Sequence, residues 1–410
     1  MARTIEMMLS LDEASGRILE SAEPGEPVEV SLVDALGLVL AEPAVADVDL
    51  PAFDRASRDG YAVRSSEARA GSLLRVAGVR WSRRALEAGI EAGEAIRIDR
   101  GGPMPAGADA VVRLDDVRPD PEVGPTRVIE ILPGIEPGRG VSRRGGLLGA
   151  GSIIAPAGTR LRAPMVGLLA SQGCVHPVCH RRVRVAVVAV GSHLVGPGEA
   201  PVMHRERNAA GAAVVALAIR AGAMPHDLQA VSEARLRPAL ERASLAPVIV
   251  VLAPPTRSIV KELKSFGVEP VVRGVAIAPG GRSRSGVIRD GSGRVAHHVF
   301  HLPLAPVAAS TAFALLARPL IDRLQGDPAR GPSTIAAAFD GTHPATANRL
   351  RAVPVAMAID DEGRNRARPI RPRGAGDLPA FAGADGLALL PANSGPWTGG
   401  EVLRITSVSG

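Results

Sequence analysis

From Arg181 onward the apolar residues change their spacing, and this change limits the folds open to the chain more than any other feature. Val183-Arg-Val-Ala-Val-Val-Ala-Val190 and Val248–Leu252 are nearly unbroken apolar runs. They are short enough for strands and too apolar for a sheet with one wet face. Ala209–Ala221, Ala234–Ala243, Ser258–Phe266 and Pro306–Leu324 carry apolar residues at helical spacing, and Val271–Ile277 reads as a further strand. Strands alternating with helices predict a mostly parallel sheet covered on both faces. Ligands of such sheets lie at the carboxyl ends of the strands, so chemistry is expected in the loops there.

The flanking residues read differently. Residues 3–22 place Ile5, Met8, Leu9, Leu11, Ala14, Ile18 and Leu19 at roughly helical spacing, and short strands follow at Val28–Leu32 and Leu38–Leu40. Residues 60–145 alternate short apolar runs (Leu73–Val79, Ala95–Ile98, Ala110–Leu114, Thr126–Ile131) with Gly/Pro turns, the pattern of an all-β block. Residues 327–333 are a Gly/Pro-rich linker, and the remainder reads as a small β domain. Aromatic residues are only 2%, so the cores must be built from Ala, Val, Leu and Ile.

Bulk chemistry narrows the function classes. The net charge of +6 is carried almost wholly by arginine, Lys261 and Lys264 being the only lysines. Arginine suits phosphate and carboxylate binding. No basic run with interleaved aromatics appears, which argues against nucleic acid. Two cysteines exclude a disulfide framework. No apolar stretch reaches the length of a membrane span and no signal-peptide core opens the chain, so the cytoplasm is the expected location and no membrane partner is expected.

Several local patterns can carry chemistry. In Pro51-Ala-Phe-Asp-Arg-Ala-Ser-Arg-Asp59-Gly60-Tyr61-Ala62-Val63-Arg64, Asp59-Gly60 is a turn signal before a short strand. Asp59 can cap backbone N–H groups there, or it can hold a cation or orient an anion beside Arg55, Arg58 and Arg64. Spacing does not choose between these roles. Ile96–Val112 is a strand, a Gly/Pro loop and a strand, and Val141–Ser152 is either an anion-binding turn or a flexible return crossing. Cys174, His176, Cys179 and His180 offer four ligand types within seven residues, but Pro177 breaks the local geometry and strand-end packing is favoured over a metal site. His297, His298 and His301 flank a strand, with His297 and His301 on one face, and read as solvated strand-face residues rather than ligands.

Taken in order, these motifs resemble the molybdopterin molybdotransferase family, which includes the E domain of gephyrin. The Asp59 stretch resembles that family's Pro-x-Phe-Asp-x-Ser-x-x-Asp-Gly-Tyr-Ala-Val signature. Gly101–Val112 resembles its Thr-Gly-x-x-x-Pro-x-Gly-x-Asp-x-Val-Val loop, with Arg100 in place of threonine. Gly374-Ala-Gly-Asp-Leu378, Ala384–Pro391 and Gly399–Ile405 resemble its closing motifs. The loops beyond the α/β strands depart from the family. Gly146 and Leu147 replace an acidic pair, and Gly191-Ser-His-Leu194 replaces Gly-Asp-Glu-Leu. Leu252-Ala-Pro-Pro-Thr-Arg-Ser258 replaces a glycine-rich loop, Ala278-Pro-Gly-Gly-Arg282 a Lys-Pro-Gly-Lys-Pro loop, and Leu302–Ala308 a Leu-Pro-Gly-Asn-Pro-Val-Ser loop. Proline at 254 and 255 removes backbone donors of the kind that cradle phosphate.

The resemblance implies a multidomain α/β plus β architecture. A connector (1–50 and 146–180), an inserted β domain (51–145), a mostly parallel α/β sandwich (181–326) and a C-terminal β domain (334–410) are expected. It implies insertion of molybdate into adenylated molybdopterin with release of AMP, assisted by Mg2+, in a homodimer whose site lies between subunits. Asp59 is the implied catalytic carboxylate. Arg100, Gly101, Arg144, Asn208, Pro279, Gly280, Arg282, Pro303 and Pro306 are implied to bind substrate, with Arg284 and Arg257 as further sources of positive charge. No resident metal ligands are expected. The lost acidic and glycine positions leave a second reading open, a catalytically inactive paralogue that serves as a binding or scaffold protein.

Overall fold

The computed structural model describes residues 8–79, 89–119, 128–328, 334–374 and 376–407. Residues 3–7 of the expected N-terminal helix, 329–333 of the expected linker and Ala375 lie outside the described residues. The chain divides into two compact units, one of residues 43–156 and 163–176, the other of 1–42, 157–162 and 177–410.

The smaller unit is built on a six-stranded sheet. Its order is Ala110–Arg113, Gly60–Val63, Glu94–Ile98, Leu73–Val79, Val128–Ile131, Val117–Pro119, all antiparallel except the Leu73–Val79/Glu94–Ile98 pair. Val63, Leu74, Val112, Ile129 and Ile131 form its core. A second small core of Ala56, Ala62, Ile98 and Val111 sits under the Asp59 turn. Glycine is required at 60 because a Cβ there would lie 1.9 Å from the Val112 carbonyl oxygen. The unit also holds the helix Ala163–Ser171, and the Gln172 side chain after it accepts the Val48 N–H at 3.3 Å.

The larger unit contains the α/β sheet. Met224–Val231, Arg184–Val190, Val248–Leu252 and Val295–Leu302 run parallel in that order; Arg284–Arg289 and Glu269–Val272 then continue the sheet antiparallel. The two apolar runs are neighbouring interior strands and are buried throughout Val185–Val190 and Val248–Leu252, as strands covered on both faces must be. One face packs on Ala209–Arg220 and on the helical run from Pro306 to Leu324, which contains a π turn at Phe313–Ala317. The other face packs on Leu236–Ala243 and Arg257–Ser265. The N-terminal helix Leu11–Leu19 joins the first face and starts at a capping box between Ser10 and Glu13.

A closed five-stranded barrel follows: Leu350–Ile359, Asn365–Pro369, Thr334–Phe339, Val402–Ser407 and Gly386–Leu390, the last pairing back to the first. The expected strand Val271–Ile277 is two pieces: Glu269–Val272 ends the sheet, and Ile277–Ala278 pairs with Leu350–Arg351 of the barrel. Met224–Val231 and Arg284–Arg289 are strands that the sequence pattern did not single out. Among the described residues no helix is long and apolar enough to cross a membrane.

Candidate functional site

The expected site residues fall into two groups, one in each unit. In the smaller unit, Arg55–Ala56 pairs with Val141–Ser142, which brings the Asp59 turn, the Arg100–Gly101 loop and the Arg143–Arg144 loop together. The Gly101 N–H donates to the Ala56 carbonyl at 2.8 Å, and the Ala56 N–H donates to the Gly102 carbonyl at 2.8 Å. Gly101 takes φ +85°, a left-handed geometry that favours glycine. The exposed Asp59 carboxylate accepts the Arg100 N–H at 2.7 Å, while the Arg100 side chain points to solvent. Both sequence readings of Asp59 therefore bear on one atom group: it does cap a backbone N–H, and it remains open to water.

Two more carboxylates hold the neighbouring loop. Asp54 accepts the Arg144 N–H at 2.7 Å and Arg143 Nη1 at 2.6 Å. Asp49 accepts the Ala150 N–H at 2.9 Å and Arg144 Nε at 2.6 Å. These contacts keep both carboxyls below the usual aspartate range. For Asp54 the Arg144 N–H is the larger cause and Arg143 the next; for Asp49 the order is the Ala150 N–H, then Arg144. Arg144 is thus ion-paired, and Leu147 stands exposed beyond it.

In the larger unit Asn208 is buried at the start of Ala209–Arg220, where its side-chain oxygen accepts the Gly211 N–H at 2.9 Å. It acts as a helix cap. After Val248–Leu252 the chain passes through Pro254 and Pro255 to Thr256, whose hydroxyl caps the next helix by accepting the Ile259 N–H. Pro303 follows Val295–Leu302, and Pro306 opens the helix beyond it. At the third loop Gly280 has φ +103°, and its carbonyl accepts both the Ser283 N–H and the Ser283 hydroxyl. Arg282 is exposed there.

This third loop borders a cleft of about 530 Å3 whose lining includes Pro279 and Val307 on one side and His343, Arg351 and Arg371 from the barrel on the other. Arg351 arrives through the Ala278↔Arg351 pairing. Arg349 also reaches the turn, its Nη1 lying 3.5 Å from where a Cβ on Gly281 would sit. Arg371 Nη2 donates to the Thr342 carbonyl and hydroxyl at 3.1 Å each, which fixes its guanidinium. The cleft therefore offers two guanidiniums, with Arg349 beside the adjoining turn, and suits an anion. None of these barrel arginines was marked in the sequence. Of the expected residues, Pro279 lines the cleft directly; Arg284 lines a different cavity, on the opposite face of the sheet.

The remaining candidates resolve differently. Cys174 and His176 belong to one unit and Cys179 and His180 to the other, and among the described residues no group of three or more His, Cys, Asp or Glu could hold a metal ion. His298 and His301 are not solvated, contrary to the sequence reading. Their strand is interior to the sheet, and burial, as the first cause, lowers both imidazoles to about 4.

Comparison with known proteins adds to this geometry. The MoeA N-terminal region (domain I and II) matches residues 9–173, and the MoeA C-terminal region (domain IV) matches residues 341–407. Molybdopterin molybdenumtransferase 1 of Mycobacterium tuberculosis is 33% identical over 350 residues, covering 77% of this chain and 78% of its own. The molybdopterin molybdenumtransferase of Staphylococcus epidermidis is 26% identical over 417 residues, covering 97% and 95%. A crystal structure of a molybdopterin biosynthesis MoeA protein from Pyrococcus horikosii superposes with a TM-score of 0.80 at 26% identity, covering 98% of this chain and all of that one.

Proposed function

Because the chain belongs to the MoeA family of molybdopterin molybdenumtransferases, we propose that it is a transferase of molybdenum cofactor biosynthesis. Its substrates are adenylated molybdopterin and molybdate; molybdate enters the dithiolene and AMP leaves. The observation that carries this reading is the arginine-lined cleft beside Pro279. Bringing molybdate to a phosphate-bearing dithiolene concentrates negative charge, and preorganised cations lower the cost of that encounter. On this reading Arg351 and Arg371 of the cleft supply that charge, with Arg349 and Arg282 on the adjoining segments.

Asp59 is the carboxylate of this proposal. It is exposed, one oxygen is occupied by the Arg100 N–H, and the other has no partner among the described residues. That donor set fits a Mg2+ ion carried mainly by substrate phosphates, since such ions keep most of their waters and take only one or two protein carboxylates. When bound, the ion would neutralise phosphate charge. Asp49 and Asp54 are committed to arginines and serve the loop. A homodimer in the cytoplasm is the proposed working form.

The direct test supplies the purified chain with adenylated molybdopterin and molybdate and measures AMP release. In parallel, the gene is expressed in a bacterium lacking its own molybdotransferase. AMP release and restored nitrate reductase are expected. Neither signal, together with rescue by a variant carrying Leu147→Asp, His193→Glu, Pro254→Gly and Pro255→Gly, would assign the chain a non-catalytic role instead.

A further inference from the structure

A second large cavity, about 490 Å3, lies between the helix Arg257–Ser265 and the antiparallel end of the α/β sheet. Its walls are apolar, with Leu263, Val272 and Val299 among them. It lies on the face of the sheet opposite the helix that begins at Pro306, so it is separate from the cleft at Pro279. Three cations border it, Lys264, Arg273 and Arg284, and none has a hydrogen-bond or ion-pair partner among the described residues. The carboxylates nearby on the same elements are taken: Glu262 pairs with Arg237 at 2.8 Å and Glu269 with Arg289 at 3.2 Å.

A polar group also faces this cavity without a partner. Arg284 lies directly across from His301 in the antiparallel register, so the two side chains share a face. His301 is only 3% exposed. Its Nε2 is 3.2 Å from the Ala253 carbonyl, which fixes the proton on that nitrogen, while Nδ1 is buried with no partner. Burial keeps the ring neutral near pH 7, so Nδ1 is a lone-pair acceptor. A buried acceptor left unpaired is costly. Apolar walls, one half-buried guanidinium and one waiting acceptor together describe a ligand.

We propose that this cavity binds an aromatic organic acid, its ring among Leu263, Val272 and Val299, its acid group on Arg284, and an N–H or O–H donated to His301 Nδ1. This goes beyond the transferase reading and does not depend on it. Indole-3-acetate has the required ring, carboxylate and N–H, and serves as the probe in calorimetric titration of the full chain. Saturable one-to-one binding is expected. Arg284→Gln should weaken it ~10-fold or more, as loss of a charge-assisted hydrogen bond does. Leu263→Trp, which fills the cavity, should abolish it, and Arg351→Gln in the other cleft should leave it unchanged. Melting curves of each variant report whether the fold is kept. Absence of saturable binding by the unaltered protein would overturn the proposal. So would equal affinity in folded Arg284→Gln and Leu263→Trp variants, or weakening by Arg351→Gln to the same extent.

Discussion

In the loops around Asp59, each carboxylate is tied to the backbone: Asp59 to Arg100, Asp54 to Arg144, Asp49 to Ala150. At the ends of the α/β strands, by contrast, the loops carry prolines at 254, 255, 279, 303 and 306 with scattered polar anchors such as Asn208, Thr256 and Ser283. The first region keeps its shape through hydrogen bonds that only a few residue types can make. The second keeps its shape because the sheet beneath it is packed on both faces, whatever the loops contain. A loop supported from below can change its chemistry without unfolding, and the barrel arginines around Pro279 are the positive charge that the proposed function assigns to the substrate.

That contrast can be broken by experiment. The largest effect should come from acid. His298 and His301 titrate near 4 in the fold and near 6.5 when unfolded. Between those values the unfolded chain binds more protons, so stability falls as pH drops from 6.5 toward 4, by about 3 kcal/mol for each histidine at full effect. Chemical denaturation at pH 7 and pH 4.5, on the protein and on His301→Gln, measures it; no dependence would mean that the sheet is not the rigid support described. Next, Gly60→Ala should cost about 3 kcal/mol through overpacking against Val112. Denaturant midpoints would show it, and a neutral result would deny that the Asp59 region depends on its backbone.

Smaller effects sharpen the other side. Arg351→Gln combined with Arg371→Gln should lower kcat/KM for AMP release about 100-fold with little change in melting temperature, since each guanidinium is exposed and each charged hydrogen bond contributes about 1.5–3 kcal/mol. The smallest effect is expected for Asp54→Ala, about 1 kcal/mol at neutral pH, because its contacts are partly solvated. Asp54 has a depressed carboxyl, so its contribution is present above the ordinary aspartate range and lost as pH falls through the folded value. Variant and parent should therefore converge in strong acid.

Some of this architecture was legible before any coordinates. Val183–Val190 and Val248–Leu252 announced themselves because strands buried on both faces need unbroken apolar runs. The Asp59 turn was legible because Asp59-Gly60 is a local turn signal and Gly60 is sterically required, although its partners Arg100 and Val112 lie far along the chain. Met224–Val231 was not, since an edge strand with exposed Met224, His226 and Asp227 has no periodic face to detect. The buried state of His301 was missed because it depends on which strands flank it, a pairing that local spacing does not encode. The arginines of the cleft were missed for the same reason: Arg351 meets Pro279 only because a barrel strand adds to Ile277–Ala278 from far along the chain.

The paired prolines after Val248–Leu252 have one more consequence. A loop of amide dipoles grips phosphate in a way that dissolved salt hardly touches, whereas exposed guanidiniums act through a field that fades within about 8 Å at physiological ionic strength. A transferase that holds its substrate through such guanidiniums, as proposed above, should lose its grip steeply as potassium chloride is added, and its cellular output would then follow the ionic state of its host.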